Sequence, residues 1–269
     1  MTATKKRRIR VEDKAKIVKQ RSKFVFIMDA SGSMGGQENN VIRLLNDQLD
    51  TLKKEYYSSD MESDISIMTF DYSHNIRYIY QDVHISKARK VTRNDYRVDG
   101  LTALNDAIGL GINDFLGHND FNDENVSFTV VAYTDGDEND SKKYPKSTNK
   151  IATLIRKAQD TRRFTVTLQV PKGQRAFTAS RLGIPTDNIA EWDATTERGI
   201  QEASQKTSAG IRSYLTARSK GATSVDSFYV QTDLSNLKTS QLKKNLADIS
   251  SDFGIYVAKN EGQIRDFVE

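Results

Sequence analysis

The sequence has no cysteine. Disulfide staples, thiolate-bound zinc and a thiol nucleophile are excluded, and the composition is compatible with a reducing compartment. Histidine is nearly as scarce. His74, His84 and His118 lie far apart without metal-ligand spacing, so each reads as a surface or loop residue. None of them follows a promising strand end, so no Ser-His-Asp arrangement is suggested. No apolar run approaches the roughly 18 residues of a membrane span. The basic start is not followed by an apolar segment, which argues against an ordinary secretory signal, and a cytoplasmic location is the expectation. A Gly-x-x-x-x-Gly-Lys-Ser/Thr loop is missing, as are internal repeats and low-complexity tracts.

The 269 residues suffice for one large α/β domain, alone or with a small appendage, and for an ample core. The formal charge of +4 conceals an asymmetry: residues 1–23 hold ten Lys/Arg against Glu12 and Asp13, whereas the other 246 residues hold 30 basic and 34 acidic groups. Basic character therefore belongs to the arm, read as residues 1–22, and the domain itself is mildly acidic. Contact with nucleic acid is expected only through the stretch Lys5–Arg10, and the bland reading of that stretch is a solvated arm. Without interleaved aromatics it makes a poor stacking platform for single strands.

The most informative stretch is Phe24-Val25-Phe26-Ile27-Met28-Asp29-Ala30-Ser31-Gly32-Ser33-Met34-Gly35-Gly36. Five consecutive apolar residues predict a strand buried on both faces, and an aspartate followed by alternating hydroxyls and glycines predicts a polar rim where it ends. At the carboxyl end of a parallel strand, Asp29, Ser31 and Ser33 would sit where open α/β sheets place their ligands. Their hard oxygen donors suit Mg²⁺ better than a soft metal. Two further pieces follow in order. Gly100-Leu101-Thr102-Ala103-Leu104-Asn105-Asp106-Ala107 puts a threonine at the start of an amphipathic helix, where its hydroxyl can either cap the helix or face a cation. Val130 to Tyr133 forms a second apolar run that leads into Thr134-Asp135-Gly136.

With these pieces in place the chain resembles the von Willebrand factor A-type (vWA) family, whose metal-ion-dependent adhesion site (MIDAS) joins Asp-x-Ser-x-Ser to a distant Thr and a distant Asp. The match falls on Asp29, Ser31, Ser33, Thr102 and Asp135 without substitution, and the resemblance settles Thr102 on the metal. The patterns at 100–109 and 134–139 are similar to those of small stand-alone vWA proteins of bacteria and phages. The resemblance covers roughly residues 22–219 and implies a doubly wound, mostly parallel central sheet.

Periodicity places the other elements. Helices are predicted over 38–56, from 104 through 115, over 149–160, 176–182 and 197–218, and strands over 64–70, 74–80, 126–134, 163–170 and 188–192. The pair 64–70 and 74–80 reads as a hairpin that supplies one antiparallel edge strand. Residues 86–99 are expected to form a short helix or turn. Asp137, Glu138 and Asp140 are read as the acidic start of the next helix region, with Asn139 bracing the loop, because the preceding strand does not fit a calcium-binding helix-loop-helix. Trp192 is expected to anchor packing. The sheet domain is placed at 23–220. Residues 221–269 read as a small α/β appendage, docked or dependent on a partner, that opens with a strand at Phe228-Tyr229-Val230.

The resemblance implies a Mg²⁺-dependent protein-binding module, with Mn²⁺ or Ca²⁺ as alternative ions, and a partner whose Asp or Glu completes the coordination. An enzyme is not expected. The alternatives are a Mg²⁺-dependent phosphoryl-transfer protein, which would want a second acid where Ser31 stands, and a scaffold or accessory subunit whose metal is purely structural.

Overall fold

A computed structural model describes residues 19–59 and 61–230. Six strands form one sheet in the order β3-β2-β1-β4-β5-β6. They are β1 (Arg21–Asp29), β2 (Glu62–Phe70), β3 (Ile76–His84), β4 (Val126–Tyr133), β5 (Phe164–Pro171) and β6 (Ile189–Trp192). All neighbours are parallel except β2 and β3, so the antiparallel strand lies at the edge as expected. Four helices connect them, α1 (Glu38–Ser58), α2 (Leu104–Leu116), α3 (Lys150–Asp160) and α4 (Arg175–Leu182), and α5 (Glu197–Ser219) follows β6. No described helix is long and apolar enough to cross a membrane.

Strand alternation divides the core into two layers. Phe24, Phe26 and Met28 join the cluster that contains Leu44, Leu45 and Leu49 of α1 with Ile200, Ala203 and Ile211 of α5. Val25 and Ile27 join the opposite cluster with Ile108 and Ile112 of α2, Ile155 of α3 and Leu182 of α4. Gln48 is buried between α1 and α5, and its amide donates to Ser204 O at 3.2 Å and Ser204 Oγ at 3.1 Å. Gly183 ends α4 in the left-handed conformation at φ 68°, as its sequence position suggested.

The short helix or turn expected over 86–99 is present as the 3₁₀ helix Ile85–Lys87 and a turn at 93–95. Two other expectations need correction. Asp137, Glu138 and Asp140 do not open a helix, since α3 begins only at Lys150, and their carboxylates serve the loop as described below. Phe228-Tyr229-Val230 is not a strand. Phe228 is 1% exposed and packs on Tyr214, and a Cβ at Gly210 of α5 would come within 2.4 Å of its ring. Ring burial against a bare helix backbone decides its conformation, and Tyr229 N donates to Asp187 O at 3.0 Å, outside any sheet ladder. The basic stretch Lys5–Arg10 and the rest of the expected appendage, 231–269, lie outside the described residues.

Candidate metal centre

Register brings the site together. β1 and β4 run in step from Arg21 opposite Val126 to Met28 opposite Tyr133, so the residues just beyond them emerge side by side on one rim. Asp29 is fully buried there. Its Oδ1 accepts from Ser31 N at 2.8 Å and its Oδ2 from Thr134 Oγ1 at 2.7 Å. Ser31 Oγ lies 3.2 Å from Ser33 Oγ, and Ser33 Oγ donates to Asp135 Oδ1 at 2.8 Å. Four of the five sequence-predicted residues therefore form one continuous polar chain from Asp29 to Asp135.

Thr102 reaches the same rim by backbone bonds. Gly32 N donates to Gly100 O at 3.1 Å, and Thr102 itself is held by Asn139, whose Oδ1 accepts from Thr102 N at 2.9 Å and whose N donates to Thr102 O at 3.0 Å. Asn139 thus has the bracing role expected of it. The N-cap residue of α2 is Ala103, whose own side chain makes no capping bond. Glu138 Oε2 instead accepts from Asn105 N at 2.7 Å, and Ser141 Oγ accepts from Asp106 N at 2.9 Å. Asp106 reciprocates by accepting from the amides of Lys142 and Tyr144, both at 2.8 Å. The first turn of a helix needs partners for its free N–H groups, and here the loop after β4 supplies them. Among the described residues the Thr102 hydroxyl makes no hydrogen bond, so the competition between cap and cation is decided against the cap.

Sequence reasoning missed three supports. Thr134 holds Asp29, and only the strand register reveals it. Tyr96, 1% exposed, donates from its hydroxyl to Asp29 O at 2.6 Å and ties the 96–100 segment to the rim. Trp192, expected as a packing anchor, does lie edge-on to Tyr133, and its Nε1 also donates to Thr134 O at 2.8 Å. Gly100 needs its bare backbone: its φ is +70°, and a Cβ would meet the Tyr72 ring at 2.1 Å. Gly100→Ala is expected to lower unfolding stability by about 1–2 kcal/mol, the cost of a left-handed conformation for an L-residue. Urea unfolding checks this, and a variant as stable as the parent would refute it.

Burial raises the Asp29 carboxyl to about 6, against hydrogen bonds from Ser31 and Thr134 that favour its anion; the neighbouring Asp135 charge adds a smaller push upward. Burial also raises Asp135. Neither carboxylate has an ion-pair partner among the described residues. The described residues contain no cluster of three or more His, Cys, Asp or Glu suited to a metal, so any cation here would rely on two carboxylates and three hydroxyls. That donor set fits a hard divalent ion: two negative charges balance it, neutral hydroxyls complete the shell, and the missing counter-charge is what a cation supplies. A cavity of about 450 Å³ lies elsewhere, between the end of β6 and the start of α5. Lys172, Arg198 and Lys206 face Glu191, Asp193 and Glu202 in it, a self-neutralising lining that singles out no ligand.

A family model for the von Willebrand factor type A domain matches residues 24–183. No curated protein matches the sequence. Among solved structures, the pilus adhesin SpaC from Lactobacillus rhamnosus GG, in its open conformation, is similar with a TM-score of 0.52 and 10% identity, over 70% of this chain and 30% of that one. Proximal thread matrix protein 1 from the mussel byssus is similar with a TM-score of 0.47 and 16% identity, over 71% and 46%. A structure of the same mussel protein with a zinc-occupied MIDAS motif gives 0.47 and 15%, over 71% and 45%. The chain spans less than half the length of these neighbours, and at such identities the adhesin's likeness extends to the fold.

Proposed function

The chain belongs to the von Willebrand factor type A domain family, and on that premise we propose that its rim is a metal-dependent protein-binding site. Asp29, Ser31, Ser33, Thr102 and Asp135 hold the cation, Mg²⁺ by donor chemistry, and a partner's Asp or Glu supplies a further anionic oxygen. One observation supports this above the others. A fully buried aspartate accepts the Ser31 amide, the Ser31 and Ser33 hydroxyls lead on to a second aspartate, and among the described residues no lysine or arginine pairs with either. Such a site favours a divalent cation, and an ion that meets one of the two aspartates only through water stays short of negative charge. A partner carboxylate then gains a charge-assisted contact that free solvent does not match.

The phosphoryl-transfer alternative has less support. Ser31 occupies the place where a strand-end nucleophile of that kind wants its general acid, so a binding role is the simpler use of the constellation.

Thr102→Val is the sharpest test, because the hydroxyl it removes has no structural hydrogen bond to lose. Metal-dependent capture of a native partner from host extract should be present in Mg²⁺, absent in chelator and reduced at least tenfold in Thr102→Val, while melting in chelator shifts by no more than about 0.5 kcal/mol equivalent. Capture that survives both chelator and Thr102→Val would end this reading.

A further inference from the structure

A shallow groove adjoins the proposed metal site. Thr134 and Gly136, on either side of Asp135, line it together with Asp137, Glu138 and, from α4, Phe177 and Arg181. Its space of about 20 Å³ is little more than one water molecule needs, so it suits the tip of a functional group rather than a whole small molecule. Two features mark it out. Phe177 is 53% exposed, one of few large apolar side chains left open on the described surface. Arg181 is half-buried; among the described residues its Nε has no hydrogen-bond partner, and its guanidinium reaches only Asn105 Oδ1, at a long 3.5 Å. Burial works against its charge, and the nearby Glu138 and Asp137 offset that only in part. Those two carboxylates are engaged elsewhere: Glu138 accepts backbone amides, and Asp137 pairs with Lys146 at 3.2 Å. Arg181 is therefore a planar, fork-shaped donor without a carboxylate of its own, one groove's width from the metal rim.

We infer that this groove is the second anchor of the partner. Resting on the metal-dependent reading above, it receives a second carboxylate from the extended segment whose first acid meets the cation, with Arg181 as its fork and Phe177 covering that segment's apolar carbons. The partner segment is thus acidic twice and apolar beside the second acid. Charge complementarity favours this occupant, because cation and guanidinium form a pair of positive points on one line of the surface. Specificity follows from the second point, since a lone acid satisfies the cation and leaves Arg181 unpaired.

The test is a random-peptide library displayed on phage, panned on the full chain in Mg²⁺ and eluted with chelator. Eluted peptides should carry two nearby acids beside an apolar residue. Changing the second acid to its amide should weaken binding to the parent chain about tenfold, and binding to Arg181→Gln hardly at all. Arg181→Lys should keep part of the effect, and Phe177→Ser should weaken binding severalfold. Each variant is first shown to retain its Mg²⁺-induced rise in melting temperature, which separates loss of the anchor from loss of the fold or the metal. Should the second acid matter equally on Arg181→Gln and the parent, or single-acid peptides bind all variants alike, the anchor is refuted while the metal site stands. Recovery of no chelator-eluted peptide refutes the metal-dependent reading and the anchor with it.

Discussion

Saturating Mg²⁺ raises the melting temperature of the metal-free chain by about 5–10 °C, and Asp29→Ala abolishes the rise. A ligand held only by the folded state at about 100 times its dissociation constant stabilises by about 2.7 kcal/mol. For a domain of this size each kcal/mol is worth about 2–4 °C. Asp29 is the residue to remove because it is fully buried, and burial has already raised its carboxyl to about 6. The sign with pH follows. A carboxyl raised on folding contributes stability below its unfolded value, near 3.8, and that contribution is lost as pH rises through about 6. The metal-free chain therefore bears its ionised Asp29 at a cost above about pH 6, where a cation needs that same anion. The Mg²⁺ increment should accordingly be larger at pH 7.5 than at pH 5. Asp29→Asn, which keeps one acceptor for Ser31 N or Thr134 Oγ1, separates charge from hydrogen bonding: it should melt near the parent in chelator and still fail to respond to Mg²⁺. Scanning calorimetry with and without chelator decides the matter, and a Mg²⁺ rise that persists in Asp29→Ala would remove Asp29 from the site.

How much of this was legible in sequence depends on the range of the interaction. The apolar run into Asp29, the stripe on α1 and the glycine after Leu182 declare themselves locally, because periodicity and turn chemistry act within a few residues. The five-residue motif was legible through its spacing, although spacing alone left Thr102 undecided between cap and cation. What decides that point is Glu138, 33 positions from the amide it accepts, and no local pattern announces such a partner. The acids at 137–140 misled for the same reason: acidic residues before a helix usually serve that helix, and here Glu138 serves the preceding one. Polar residues inside strands were equally opaque. Lys23, Asp64 and Ser66 are all buried, since each finds its partner on a neighbouring strand or the loop beside it. Phe228 shows the converse, a β-former whose place is set by the bare Gly210 across from it.

Lys23→Met should destabilise the chain by about 3 kcal/mol, or about 6–12 °C in melting temperature, at neutral pH. Lys23 is 2% exposed, and its Nζ lies 2.6 Å from Asp82, 3.0 Å from Asp64 and 3.3 Å from Asp120. Burial opposes its charge, but hydrogen bonds to Asp82 and Asp64 outweigh that, and its ionisation is raised. Methionine keeps most of the side chain's length and removes the charge, which leaves three carboxylates facing one another. Arg21, at 3.7 Å from Asp64 and 3.4 Å from Asp120, and His118, at 2.9 Å from Asp82, soften the loss; Asp82 and Asp120 also retain partial contact with solvent, so the lower end of the range for broken buried pairs applies. In the parent burial opposes the Asp82 anion, yet the lysine helps hold that carboxyl below its ordinary range, a stabilisation lost as pH falls, so the deficit of the variant should shrink toward pH 4. Adding Asp64→Leu should recover part of the loss, because a buried charge without a partner costs more than its replacement by an apolar side chain. The cluster sits six residues along β1 from Asp29, about 20 Å at the rise of a strand. The Mg²⁺ increment should therefore survive intact in Lys23→Met, which makes the variant a control for the metal rim: a weaker fold that responds fully to the ion places the binding energy at the far end of the strand, whereas a lost response would mean that the two ends do not act independently.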